Sequence, residues 1–256
     1  MLKKLPNDCI VFSNDPKIAF FQALDEGERF LNKTPQSSFS VIFDSRSNQV
    51  ELHLERVAAL KDYEDLFGPG TVPGYLNEAD IDAIKQLVKK IPDSGTIVEV
   101  GTFLGKSAVE WSRNITKQNK NYKIICIDSF TSPVTILQDL LKTADFDVPD
   151  SDSHFQMFRH YTKNYSNIVA LEAFFNEDFE FDQQVDLVFE DSDHTQRALN
   201  YALPFWWSRI NPGGILSGHD YSMRDVKTAV DTFAVINNLE IKLFSSDSSI
   251  WYIEKK

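Results

Sequence analysis

Cysteine is scarce in this chain of 256 residues: Cys9 and Cys126 are the two it has. They form no CxxC, and Cys126 lies inside the apolar run KIICID, where a buried reduced thiol is the expected state. A disulfide framework is thereby excluded, and with it the main sign of an oxidising compartment. Positive charge is short as well. Lysine and arginine total 26 against 38 acids, a net charge of −12. A nucleic-acid partner held through its phosphates needs clustered cations and is not expected here. Adsorption to anionic membranes is disfavoured for the same reason. No apolar run approaches the roughly 20 residues of a membrane span, and the opening MLKKLPNDCIVFSNDP lacks an apolar stretch of signal-peptide length. The expected setting is the cytoplasm.

What is present divides the chain near residue 70. Before it, Cys9–Ser13 reads as a short strand, and Asp15-Pro16 opens an amphipathic helix over Lys17–Leu31. Ser38–Phe43 and Gln49–Val57 alternate apolar and polar residues around DSRSN, a hairpin signal. The Gly- and Pro-rich FGPGTVPGY, residues 67–75, reads as a linker. Residues 1–70 are thus expected to form a small α+β extension, and 71–256 a larger domain.

In that larger domain strands alternate with helices, the mark of a parallel sheet covered on both faces. Helices are predicted over 78–90, 107–118, 154–165, 195–210 and 224–237. Strands are predicted over 96–100, 123–128, 168–173, 185–190, 214–218, 240–244 and 249–254, the last two facing each other as an antiparallel pair across SSDS. The expected fold is α/β: a doubly wound, Rossmann-like sheet of seven strands, mostly parallel, with an antiparallel last strand.

Strand IVEV runs directly into GTFLGKS and then a helix, so a ligand crevice is expected at its carboxyl end. Two common spacings are missing there. Gly101 and Gly105 stand as GxxxG rather than GxGxxG, and GxxxGKS is one residue short of a phosphate loop. Glu99, at the strand end, would repel phosphate but attract an ammonium. One strand later Asp128 stands where a ribose diol is gripped in sheets of this kind. Glu99 for an ammonium, the Ser107 region for a carboxylate and Asp128 for a ribose together describe S-adenosylmethionine. Gly101, Thr102, Gly105 and Ser129 complete the candidate cofactor-binding set. The plainer alternative is a tight strand–helix turn with surface acids.

From Gly74 onward the chain resembles the class I S-adenosylmethionine-dependent methyltransferases. Within them it is most similar to the group related to macrocin O-methyltransferase and the cephalosporin-biosynthesis methyltransferases. The stretches that carry the resemblance are GYLNEADIDAI, IVEVGTFLGKSAVEWS, CIDSF, VDLVFEDSDH and NPGGILSGHDY. The first seventy residues resemble no family.

Two further strand tips carry clustered polar groups: Glu190, Asp191, Asp193 and His194 after VDLVF, and His219, Asp220 and Tyr221 after GGILSG. Acids and imidazoles converging from neighbouring strands suit a divalent site such as Mg²⁺, which would activate a substrate hydroxyl. The resemblance implies Asp191 and Asp220 as metal ligands, with His219 standing where a carboxylate is usual. That departure leaves a second version open, in which His194 or His219 acts directly as general base beside Asp191. Asp193 is as readily a helix cap, and His154, His160 and His53 read as surface or packing residues.

The reading is an S-adenosylmethionine-dependent methyltransferase acting on the hydroxyl of a small-molecule acceptor, with Mg²⁺ as an optional second cofactor and a homo-oligomer as an open option. A methyltransferase fold that has lost turnover and serves as a binding or scaffold protein is the alternative from another class. A nucleotide-dependent oxidoreductase is a weaker third, against which the missing GxGxxG speaks.

Overall fold

The computed structural model describes residues 8–12, 22, 37–44, 49–56, 72–143, 146 and 148–256. They fall into two units, divided between Tyr63 and Glu64. In the amino-terminal unit, β1 (Asp8–Phe12), β2 (Ser37–Asp44) and β3 (Gln49–Arg56) form an antiparallel sheet in the order β1-β3-β2. The predicted hairpin is there, in register from Ser37↔Arg56 to Asp44↔Gln49. Apart from Gln22, the helix predicted over 17–31 lies outside the described residues, as do residues 67–71 of the linker.

The larger unit begins with α1 (Glu78–Lys90), whose start is fixed by a capping box. Asn77 accepts from the Asp80 amide at 2.9 Å and donates its own amide to the Asp80 carboxylate at 3.1 Å. There follow β4 (Ser94–Val100), α2 (Lys106–Lys117), β5 (Asn121–Asp128), α3 (Val134–Thr143), α4 (His154–Thr162), β6 (Ile168–Glu172), β7 (Val185–Glu190), α5 (Gln196–Arg209), β8 (Ile210–Gly218), α6 (Arg224–Ile236), β9 (Lys242–Leu243) and β10 (Trp251–Glu254). The sheet order is β6-β5-β4-β7-β8-β10-β9, with the first five strands parallel and β10 antiparallel to both its neighbours. This is the expected doubly wound sheet. Its direction of winding reverses between β4 and β7, which is where a crevice opens in such sheets.

The central strands are apolar on both faces, as burial on both sides requires. Ile97, Ile124, Leu187 and Phe189 pack on one face with Ala83, Ile84 and Leu87 of α1 and Trp111 and Ile115 of α2. Val98, Val100, Val188 and Leu216 pack on the other with Leu203 and Trp206 of α5 and Val230 of α6. Each such fully buried side chain contributes about 1.5–3 kcal/mol relative to exposure. Phe205-Trp206-Trp207 accordingly serves the core. A smaller cluster of Leu104, Leu137, Leu141 and Met157 seats α3 and α4 over the glycine loop.

Several predicted boundaries move, among them those of the last three strands. β9 shrinks from the expected 240–244 to the two residues that reach β10. β10 starts at Trp251 rather than 249, because Ser248 and Ser249 turn inward to bond Asp80. β8 starts at Ile210, four residues before the expected 214, across an irregularity opposite β7 between Val185 and Leu187. No helix among the described residues is long and apolar enough to cross a membrane.

Candidate active site at the carboxyl edge of the sheet

The glycine loop leaves β4 at Gly101, which has φ +83° and donates its amide to the Ile127 carbonyl of β5 at 2.8 Å. A Cβ there would stand 2.2 Å from the Asp191 carbonyl oxygen, so the close approach of the β4 and β7 tips requires glycine. Phe103 takes a left-handed φ of +50° and is held from both sides. Its amide donates to Asp128 Oδ2 at 2.9 Å, and its carbonyl meets His154 Nε2 at 3.1 Å. Gly105, at φ +91°, is the N-cap of α2 and supplies no side-chain cap.

Asp128 therefore does more than present a carboxylate at a strand tip. Its Oδ1 accepts from the Phe130 amide at 2.9 Å while Oδ2 anchors Phe103. Glu99 departs further from expectation. It shares the Ile97 face of β4, is wholly buried, and accepts from the Ser107 hydroxyl at 2.8 Å. Burial pushes its carboxyl up to about 8, opposed by Thr102 and Ser107, so it is uncharged at neutral pH. The carboxylate read as attracting an ammonium is thus a buried acid under α2, with burial favouring its protonated form.

Across the crevice, β7 and β8 are neighbours, and their tips bring the second candidate set together. Asp191, His219 and Asp220 each offer an atom such that all three lie within 4.8 Å of one another. His219 Nδ1 is 3.5 Å from Asp220 Oδ1 and 3.8 Å from Asp191 Oδ1. His194 reaches the same carboxylates, with Nε2 2.8 Å from Asp220 Oδ2 and 3.6 Å from Asp191 Oδ1. Bonds from Asp191 and Asp220 raise His194 to about 10. Burial alone would lower His219, but Asp220 and Asp80 overcome it and raise it to about 10 as well. Both imidazoles are thus shifted upward from the ordinary range on which the general-base reading rests, and the carboxylates around them are the cause. Asp220 is held well below the usual range by the two imidazoles, against its burial, whereas burial raises Asp191.

A cleft of about 480 Å³ lies on this edge, walled by Val100 and Gly101, Asp128 and Ser129, Phe174 and Phe175, and Asp193 and His194. That volume is within the range of small-molecule sites. A narrower recess of about 40 Å³ adjoins it at Gly101, lined by Thr102, Ser107, Lys106, Tyr75 and Asp191. Of the predicted cofactor residues, Gly101, Asp128 and Ser129 line the cleft and Thr102 and Ser107 the recess; Glu99 and Gly105 line neither. Asp193 accepts from the Thr195 amide at 2.9 Å while Thr195 itself caps α5, so the helix start and the cleft wall share this segment.

Sequence reasoning gave no signal of the roles of four residues here. His154, read as a surface or packing residue, is buried and its ring pins the loop. Phe174 and Phe175 wall the cleft from a segment that carries no motif. Asp80 reaches His219 Nε2 at 3.2 Å from the first turn of α1; a helix-capping acid gives no signal of such a partner.

Residues 98–221 match a family model described as a methyltransferase domain. Among solved structures, the precorrin-6y C5,15-methyltransferase from Geobacter metallireducens GS-15 is 13% identical, with a TM-score of 0.51 over 70% of this chain and 89% of that one. The O-methyltransferase NovP is 17% identical, with a TM-score of 0.51 over 71% of this chain and 81% of its own. No curated protein matches the sequence. The larger unit has a Rossmann-like methyltransferase fold, and residues 98–221 within it are similar to a methyltransferase domain.

Proposed function

We propose that this chain transfers a methyl group from S-adenosylmethionine to a hydroxyl of a small-molecule acceptor, assisted by a divalent cation, as its resemblance to the macrocin-related group suggests. The observation that carries the reading is the meeting of the Asp191, His219 and Asp220 donors beside the cleft on the same sheet edge. The residues fit a hard cation of the Mg²⁺ or Mn²⁺ kind: two carboxylates and one imidazole nitrogen, with the other imidazole nitrogen already bonded to a carboxylate. A cation held there supplies Lewis acidity that makes a bound hydroxyl more acidic. S-adenosylmethionine supplies a methyl group already activated by its sulfonium, so the protein has chiefly to align and to deprotonate.

The chain's own residues divide that labour. Gly101 admits the ligand to the backbone, and Asp128 and Ser129 present oxygens at the next strand tip. Phe174 and Phe175 exclude water from the far wall. Asp191 and Asp220 orient the acceptor oxygen, and His194, hydrogen-bonded to Asp220, holds that carboxylate in place.

Calorimetry with S-adenosylhomocysteine is the first test; no binding at millimolar ligand would sink the cofactor reading. Transfer of labelled methyl groups to a panel of hydroxylated acceptors should then be abolished by EDTA and restored by Mg²⁺. Cofactor binding with no turnover on any acceptor would favour the scaffold alternative.

A further inference from the structure

We propose that Asp80, together with Ser249, is a positioning residue for the cation site: the pair takes the Nε2 edge of His219 and so turns Nδ1 toward Asp191 and Asp220. The inference rests on the reading of those three side chains as cation ligands.

The capping box of α1 by itself needs no more of Asp80 than a carboxylate at the helix surface. Its side chain is instead 1% exposed, and His219 beside it is 7% exposed. Four groups besides the ring converge on its two oxygens or compete for the same nitrogen. Oδ2 accepts from the Asn77 amide at 3.1 Å and faces His219 Nε2 at 3.2 Å. Oδ1 accepts from the Ser248 hydroxyl at 2.9 Å and the Ser249 amide at 3.0 Å. The Ser249 hydroxyl lies 2.9 Å from the same Nε2. The backbone of His219 is fixed too, since its carbonyl accepts from Trp251 Nε1 at 3.2 Å.

An imidazole so held has no freedom to flip. With Nε2–H directed at Asp80, Nδ1 is the nitrogen on the side of the β7 and β8 tips, and a cation bound there would take the place of its proton. A carboxylate behind a ligating histidine in this way fixes the ring and strengthens the ligand. The arrangement accounts for a histidine standing where the family resemblance implies a carboxylate: Asp80 lends the ring the negative charge that His219 itself lacks. It also accounts for the inward turn of Ser248 and Ser249, which shortens β10.

The test uses the full chain with Mn²⁺ as probe, followed by electron paramagnetic resonance. Asp80→Asn should weaken Mn²⁺ binding about 10- to 100-fold, with S-adenosylhomocysteine affinity unchanged. Mn²⁺ affinity equal to wild type in Asp80→Asn overturns the proposal, as does a parallel loss of both ligands, which is what a merely structural role would give. Ser249→Ala leaves the helix cap intact and should weaken Mn²⁺ to a smaller degree, so it serves if Asp80→Asn does not fold; no change overturns the role of the pair. Should wild-type protein bind no Mn²⁺ at all, the cation reading fails on its own account. The positioning claim is then decided by the His219 imidazole N–H resonance in ¹⁵N-histidine protein: protected from exchange in wild type and lost in Asp80→Asn supports it, and the same protection in both overturns it.

Discussion

The glycine loop after β4 and the acidic tips of β7 and β8 occupy one sheet edge, yet their polar groups are committed in opposite ways. At the loop, nearly every group bonds to nearby backbone or to another loop residue: Gly101 to Ile127, Asp128 to the Phe103 and Phe130 amides, Glu99 to Ser107. At the tips, side chains bond to one another, and the partners are charged: His194 to Asp220 and Asp191, His219 to Asp220 and Asp80. The first arrangement fixes the shape of a cavity. The second concentrates charge beside it, balanced by imidazolium where a cation of higher charge could stand. On the proposed function, the difference separates the part that would recognise a cofactor from the part that would act on an acceptor.

The comparison breaks most readily at the tips. Asp191→Ala should lower the methylation rate by about 100-fold or more while S-adenosylhomocysteine still binds, because it removes a ligand without reshaping the cleft; calorimetry alongside a methyl-transfer assay checks the split. Gly101→Ala should have the converse character. Forcing φ +83° on alanine, with its Cβ against Asp191, should cost roughly 2–4 kcal/mol of stability, read from the urea midpoint. Cofactor affinity should fall with it.

Glu99 gives a pH test of the loop. Its folded pKa, about 8, lies above the ordinary value of 4.5. The folded state therefore holds a proton that the unfolded chain releases, and stability falls as pH rises between those values, by at most about 1.4 kcal/mol per pH unit. Glu99→Gln mimics the neutral acid and keeps a partner for Ser107, so it should flatten the denaturation midpoint between pH 5 and 8 and stabilise the protein at pH 8. An unchanged slope would show that Glu99 is ionised in the folded state, as a partner of an ammonium would be. The smallest effect belongs to a residue of neither region: Thr195→Ala removes the α5 cap and should cost about 1 kcal/mol without altering methylation.

Much of this was legible in the sequence, and the successes have a common cause. Strands β4, β5 and β7 are continuous apolar runs, and GTFLGKS punctuates the first of them, so the sheet and the position of its crevice followed from local pattern. Polar residues cluster at the ends of β7 and β8, the family resemblance singles out Asp191 and Asp220 among them, and adjacency of the two strands brings them together. What failed was orientation. Glu99 was judged by its place near a strand end, whereas the two-residue period of β4 puts it under α2, out of the cleft. The histidines were judged by their ordinary pKa, whereas three carboxylates from separate elements decide their charge.

The sequence by itself determined the α/β architecture, the GxxxG turn and the two acidic strand tips, because each is written in neighbouring residues and in the period of their burial. Only the tertiary structure decided which nitrogen of His219 faces the site, that His154 and Asp128 clamp Phe103, and that a capping residue of α1 stands behind a strand tip 139 residues away. Those contacts join segments remote in the chain, and their strength comes from burial, which no local pattern reports.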